Sequence, residues 1–99
     1  MASLTQLEVL VAVLDAGGFS GAAKRLYMSQ PSVSNHVRNL ESSLGVQLIQ
    51  RTTQGARCTP AGEAVGEQAR EVLELLHRIE GTAASYRGPQ AGRLVVAGT

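Results

Sequence analysis

The stretch Ser20-Gly21-Ala22-Ala23-Lys24-Arg25-Leu26-Tyr27-Met28-Ser29-Gln30-Pro31-Ser32-Val33-Ser34-Asn35-His36-Val37-Arg38 decides the fold, because it holds two helix starts separated by a short break. Ser20 is a natural N-cap, since a serine oxygen there accepts a free backbone N–H of the first turn. A short helix over 21–27 follows, in which Ala22-Ala23 form a small surface that another helix can approach closely. Ser29 or Gln30 then caps the next helix, with Pro31 in the first turn, where a missing N–H costs nothing. That helix stops at Gly45, just after Leu44. Two helices across a turn over 28–30 are the helix-turn-helix arrangement.

The second of these helices, 30–44, divides into two faces. Val33, Val37, Leu40 and Leu44 follow one another at spacings of 4, 3 and 4 and predict a buried stripe. Pro31, Ser34, Asn35, Arg38 and Ser42 lie opposite: short hydrogen-bonding groups and one cation, of a size that can meet base edges without obstruction. An ordinary solvated helix face carries the same residue types, and periodicity alone leaves both readings open.

Working outward toward the N-terminus, Ser3 with Gln6 three residues on predicts a capping box and a helix over 4–16. Leu4, Leu7, Leu10, Val11 and Leu14 share one face of it, Gln6, Glu8 and Asp15 are left for solvent, and Gly17-Gly18 supply the stop. On the other side, 46–51 and 56–59 flank the polar turn Thr52-Thr53-Gln54-Gly55 and predict a small β-wing. Thr59-Pro60 starts a long helix over 60–86. In it Val65, Ala69, Val72, Leu76, Ile79, Ala83 and Tyr86 alternate spacings of 4 and 3, a coiled-coil-like seam that Leu73 and Leu75 widen. So long an apolar stripe exceeds what residues 1–59 can cover, and a second copy of the chain is the simplest cover. Residues 88–92 read as a linker and 93–97 as a strand without a partner, so a further domain is expected beyond these 99 residues.

Composition agrees with a mainly α class: 43% of residues are hydrophobic but 3% are aromatic, with no Trp, so the core is aliphatic. The net charge of +1 excludes the strongly basic balance of many nucleic-acid binders. Its distribution favours the N-terminal part, where residues 1–59 hold five basic against three acidic side chains and residues 60–99 hold four against five. Cys58 is alone, so no intrachain disulfide forms, as suits a reducing compartment. No segment has the length and apolarity of a membrane span or the regions of a signal peptide, which predicts a soluble cytoplasmic protein without a membrane partner. His36 and His77 stand 41 residues apart without ligand-spaced companions, so no metal is expected. Ser29 and Ser34 have no His–Asp pair nearby and no Gly-rich phosphate loop follows a strand, so no enzyme activity is expected.

The strings Phe19-Ser20-Gly21-Ala22-Ala23-Lys24-Arg25-Leu26, Ser29-Gln30-Pro31-Ser32-Val33-Ser34, Leu40-Glu41 and Leu44-Gly45-Val46-Gln47-Leu48 occur in register. They resemble the N-terminal region of LysR-type bacterial transcription regulators, and the resemblance covers essentially the whole chain. Gln50-Arg51-Thr52 is similar to the start of the family's wing, Thr59-Pro60-Ala61-Gly62 to its linker-helix start, and Gly92-Arg93-Leu94-Val95-Val96 to the first strand of its effector-binding domain.

The resemblance implies a winged helix-turn-helix (1–59) and a linker or dimerisation helix (60–87), with 88–99 as hinge and first strand of an effector-binding domain. The implied partner is double-stranded DNA at a roughly palindromic site, bound by a homodimer that tetramerises in full-length members, with 30–44 in the major groove and the wing (48–59) near the minor groove. It also implies that a small-molecule effector binds the C-terminal domain, so that no cofactor belongs to this part of the chain. Carried over by position, Gln30, Pro31 and Ser34 face bases or adjacent phosphates, while Ser20 and Ser29 face phosphates. With Ser32, Asn35 and Arg38 of the same helix, and Arg51, Thr52 and Arg57 of the wing, these form the candidate DNA-contacting set. Asn35 stands where the family often has Arg, which exchanges a cation for an amide able to pair with adenine. Thr53-Gln54-Gly55 is uncharged where the wing tip is often basic, so weaker wing anchoring is expected. The competing reading is a helical interaction module that dimerises through 60–86 and binds no DNA.

Overall fold

The computed structural model describes residues 1–87, and the linker and strand expected over 88–99 lie outside them. The first helix, α1 (Leu4–Ala16), begins where the Ser3 N–H donates to Gln6 Oε1 at 3.1 Å and the Gln6 N–H donates to Ser3 Oγ at 3.2 Å, the expected capping box. Its buried face differs from the expected one. Val9, Leu10, Ala12 and Val13 are buried, Leu7 and Leu14 are half-buried against them, and Leu4 is exposed. The helix is apolar nearly all round, and α2 (Phe19–Leu26), α3 (Gln30–Leu44) and α4 (Pro60–Arg87) all pack on it. A helix enclosed by neighbours buries whatever faces them, so its own periodicity does not choose the side.

α2 starts before the expected cap. Gly18 holds the N-cap position without a side-chain bond, and Ser20 lies inside the first turn. The advance brings Phe19 into the helix, half-buried against the core. α2 ends at Leu26, and Tyr27 takes the left-handed conformation at φ 55° with its ring almost fully exposed. The Met28 N–H then closes onto the Ala23 carbonyl at 3.0 Å, which turns the chain sharply toward α3.

Ser29 is the N-cap of α3, its Oγ accepting the Ser32 N–H at 3.2 Å. Gly45 closes the helix at φ 72°, a conformation that would strain a residue with a side chain. Val33, Val37 and Leu40 are fully buried as expected. Leu44, expected on the same stripe, is 43% exposed. It borders an apolar groove with Ala2, Leu7, Val65 and Val72, which no element among the described residues closes over.

The hairpin is shorter and tighter than expected. β1 (Ile49–Thr52) and β2 (Gly55–Cys58) pair antiparallel with Thr52 opposite Gly55, so the turn is Thr53-Gln54 rather than four residues. Residues 46–48 approach outside the ladder, and Glu41 anchors them: its Oε2 accepts the Leu48 N–H at 2.8 Å and the Ile49 N–H at 3.0 Å. Both leucine and isoleucine side chains are completely buried in the core. Thr59 caps the start of α4, as expected. Its Oγ1 accepts the Gly62 N–H at 2.9 Å and donates to the Gln47 carbonyl at 2.7 Å.

α4 leans on the body through small residues. Gly62, Gly66 and Ala69 are buried. A Cβ at Gly62 would overlap the Leu48 carbonyl oxygen, and one at Gly66 would overlap Leu14 of α1. Arg70 pairs with Asp15 of α1 on the same side. Two residues of the expected dimer seam, Val65 and Ala69, therefore pack against the chain's own core. Further along, Leu76 is half-buried, whereas Val72, Leu75, Ile79 and Ala83 are exposed, as is every residue from 77 to 87. Among the described residues no helix is long and apolar enough to cross a membrane.

Candidate nucleic-acid interface

The start of α3 and the inner side of the hairpin enclose an open cleft of about 610 Å³, floored by the α1–α2 junction. Of the candidate set, Ser20, Gln30, Ser34, Arg38, Arg51 and Thr52 line this cleft together. Asn35, Pro31 and Ser29 are exposed outside it on the first turns of α3, and Ser32 is half-buried. Ser29 and Ser32 are joined by a hydroxyl–hydroxyl bond of 3.0 Å, so both serve the helix start. Arg57 sits on β2 facing outward, opposite Gln50. Phe19, Thr53, Gly55 and Ala56 also line the cleft, and sequence reasoning did not single them out as site residues.

Alternation along β1 explains how the wing residues divide. Ile49 and Arg51 point inward while Gln50 and Thr52 point to solvent, the period of a two-faced strand. Arg51, expected to offer its charge to phosphates, is instead held against the body. Its Nη2 donates to Ser34 Oγ at 3.3 Å, its Nη1 lies 3.8 Å from Glu41 Oε1, and its guanidinium sits 4.9 Å from the centroid of the Phe19 ring. Three attachments to α2 and α3 leave the side chain 31% exposed. A guanidinium stacked on an aromatic face and paired with a carboxylate is an ordinary use of its planar charge. Phe19 had no sequence signal for this, because its partner is 32 residues away.

At the other side of the cleft, the Ser20 hydroxyl donates to Gln30 Oε1 at 3.2 Å, which ties the first turn of α2 to the first turn of α3. Thr52 Oγ1 accepts the Gln54 N–H at 3.2 Å and donates to the Gly55 carbonyl at 3.3 Å, so it stiffens the hairpin turn. The cations left to solvent near this surface are Lys24 and Arg25 on α2, Arg38 on α3 and Arg57 on β2. They would attract a polyanion with little desolvation cost.

Cys58 lies away from the cleft, half-buried, its Sγ donating to the Thr59 carbonyl at 3.3 Å. Burial and then the Glu63 carboxylate push its thiol up from the ordinary value, against the lowering effect of Arg70. The protonated thiol is a poor nucleophile and metal ligand. Among the described residues no three His, Cys, Asp or Glu side chains converge as a metal site would require.

A capped two-helix turn on an aliphatic body, with a polar helix face framed by a hairpin, defines a winged helix-turn-helix. The chain belongs to the lysR family of bacterial regulatory helix-turn-helix proteins, whose family profile matches residues 4–63. The HTH-type transcriptional regulator TcbR of Pseudomonas sp. (strain P51) is 43% identical over 93 residues, 93% of this chain and 31% of that protein. Among solved structures, the CbnR DNA-binding domain in complex with DNA superposes with a TM-score of 0.80 at 39% identity, covering 85% of this chain and 97% of that one. The BenM DNA-binding domain with catB site 1 DNA gives a TM-score of 0.83 at 29% identity, covering 87% of this chain and 97% of that one. The chain spans about a third of the length of the curated relatives it matches.

Proposed function

We propose that this chain binds double-stranded DNA as the reading domain of a transcription regulator, with the polar face of α3 in the major groove and the hairpin toward the adjacent minor groove. The cleft carries the proposal, because it places Gln30, Ser34 and Arg38 of α3 on one open surface beside the wing. Two family members with the same fold were solved with DNA bound, and each matches this chain over nearly its whole length. Lys24, Arg25, Arg38 and Arg57 supply phosphate contacts, and Asn35 beside the cleft is a candidate for adenine. The protein acts as a homodimer through α4, whose exposed Val72, Leu75 and Ile79 are apolar surface in need of cover. A small-molecule effector, where one acts, binds outside residues 1–87.

Fluorescence anisotropy of the chain on a duplex selected from a random pool tests this. The logarithm of the affinity falls linearly with the logarithm of salt concentration, and Arg38→Ala lowers that slope by about one. Absent or salt-insensitive binding refutes the proposal.

A further inference from the structure

Arg51 and Ser34 are 17 residues apart and joined by the one hydrogen bond among the described residues that runs between a wing side chain and an α3 side chain. The polarity of that bond is fixed by chemistry. A guanidinium has five N–H donors and no acceptor, so Arg51 donates and the Ser34 oxygen must accept. A serine hydroxyl that accepts from within the protein keeps its own proton to give away. Among the described hydrogen bonds the Ser34 hydroxyl donates to no protein group, and Ser34 lines the open cleft rather than the core.

Arg51 itself is poorly placed to reach a phosphate. Doing so would break its contact with Ser34, separate it from Glu41 and lift it off Phe19. Its charge is already met by the Glu41 carboxylate, which in turn is held by the Leu48 and Ile49 backbone. We propose that Arg51 is a positioning residue of the DNA-reading surface: it fixes Ser34 as a hydrogen-bond donor aimed at an acceptor atom of the major groove, a purine N7 or a backbone phosphate oxygen. This rests on the DNA-binding reading and deepens it. The position then favours partners with a lone pair, because the Ser34 proton is the group left to give. Gln30 adds donors at the same place, since its Oε1 accepts from Ser20 and its amide N–H groups are left for the groove.

The test is a cycle of variants measured on the selected duplex and on analogues of it carrying either deazapurines that lack N7 or methylphosphonate links. Ser34→Ala weakens binding to the unmodified duplex about fivefold, the worth of one hydrogen bond. Arg51→Met, which keeps the stem over Phe19, weakens it by about the same factor, and the double variant loses no more than either single one. Arg51→Lys retains a donor and restores most of the affinity. The salt slope stays at the parent value in Arg51→Met, because no phosphate contact is lost. The Ser34→Ala effect disappears on the analogue lacking the partner atom, deazapurine for a base acceptor and methylphosphonate for a phosphate. Additive losses of about twenty-five-fold, a slope reduced by about one in Arg51→Met, or a Ser34→Ala effect that survives every analogue overturns the inference. Each of those outcomes is read against a parent that binds, so they leave the DNA-binding reading standing; a parent that fails to bind sinks both. Should Arg51→Met unfold, Arg51→Lys and the analogue series on Ser34→Ala decide alone.

Discussion

Replacing Glu41 by alanine should be among the most damaging single changes in the body of the domain, although Glu41 is neither in the apolar core nor on the outward face of α3. Its carboxylate accepts two backbone N–H groups, from Leu48 at 2.8 Å and Ile49 at 3.0 Å, at the point where the chain leaves α3 for the wing. Both residues are fully buried, so these N–H groups have little access to water once the carboxylate is gone. Hydrogen bonds to a charged acceptor contribute about 1.5–3 kcal/mol each, and two sharing one oxygen are worth less than twice that, so about 3 kcal/mol is lost. The half-exposed pair with Arg51 at 3.8 Å adds under about 1 kcal/mol. For a domain of this size the melting temperature then falls by roughly 15–25 °C. Glu41→Gln keeps an oxygen in the same place without its charge and should lose about 1–1.5 kcal/mol. Thermal and urea unfolding followed by far-ultraviolet circular dichroism measure both. An alanine variant within about 1 kcal/mol of the parent, or a glutamine variant as damaged as the alanine one, would refute the argument that the charged acceptor holds the wing.

Gly62→Ala places a Cβ on the Leu48 carbonyl oxygen, and because backbone cannot swing aside, α4 must lift off. The expected loss is about 3 kcal/mol, seen as a melting temperature lower by roughly 12–24 °C; an unchanged melting point would mean that α4 slides freely there. Tyr27→Gly relieves a left-handed conformation at an exposed ring and should stabilise by about 1 kcal/mol, raising the melting temperature by roughly 4–8 °C in calorimetry. A variant that melts no higher would show that Tyr27 contributes contacts offsetting its strain.

The parts of the fold that were legible in the sequence are those written by local chemistry. Ser3 with Gln6, Ser29 with Pro31, Gly45 and Thr59-Pro60 mark helix ends because their signals act within one turn, and the structure has them at those ends. Where a boundary depends on distant residues, local signals misled. Ser20 is a good cap by type, yet α2 starts at Phe19, whose ring lies under a guanidinium from β1. The face of α1 could not be chosen by periodicity when three helices surround it. The site divides in the same way. Ser34 and Arg38 were found on the polar face of a helix, a local pattern, whereas Gln30 came from the family resemblance, and the three share a cleft. Arg51 was noticed for its charge and its place by the wing, but its inward direction follows from strand pairing and from Glu41, which lies on another element. Glu41 appeared only inside a motif string, since nothing about a glutamate near the end of a helix announces two backbone N–H groups waiting seven and eight residues on.

The glycine seat of α4 has a further consequence. Gly62, Gly66 and Ala69 bring the helix directly onto the body, so the azimuth of everything beyond them is indexed to α1 and the strand approach at Leu48. An α-helix turns about 100° per residue, so one residue inserted after Ala69 would swing the exposed apolar face by more than a quarter turn while leaving the body untouched. Seven inserted residues would bring it nearly back into phase, about 10 Å farther out. In the proposed homodimer the helix would work as a dial as well as a spacer, its residue count setting both how far away a second reading head stands and which way it looks.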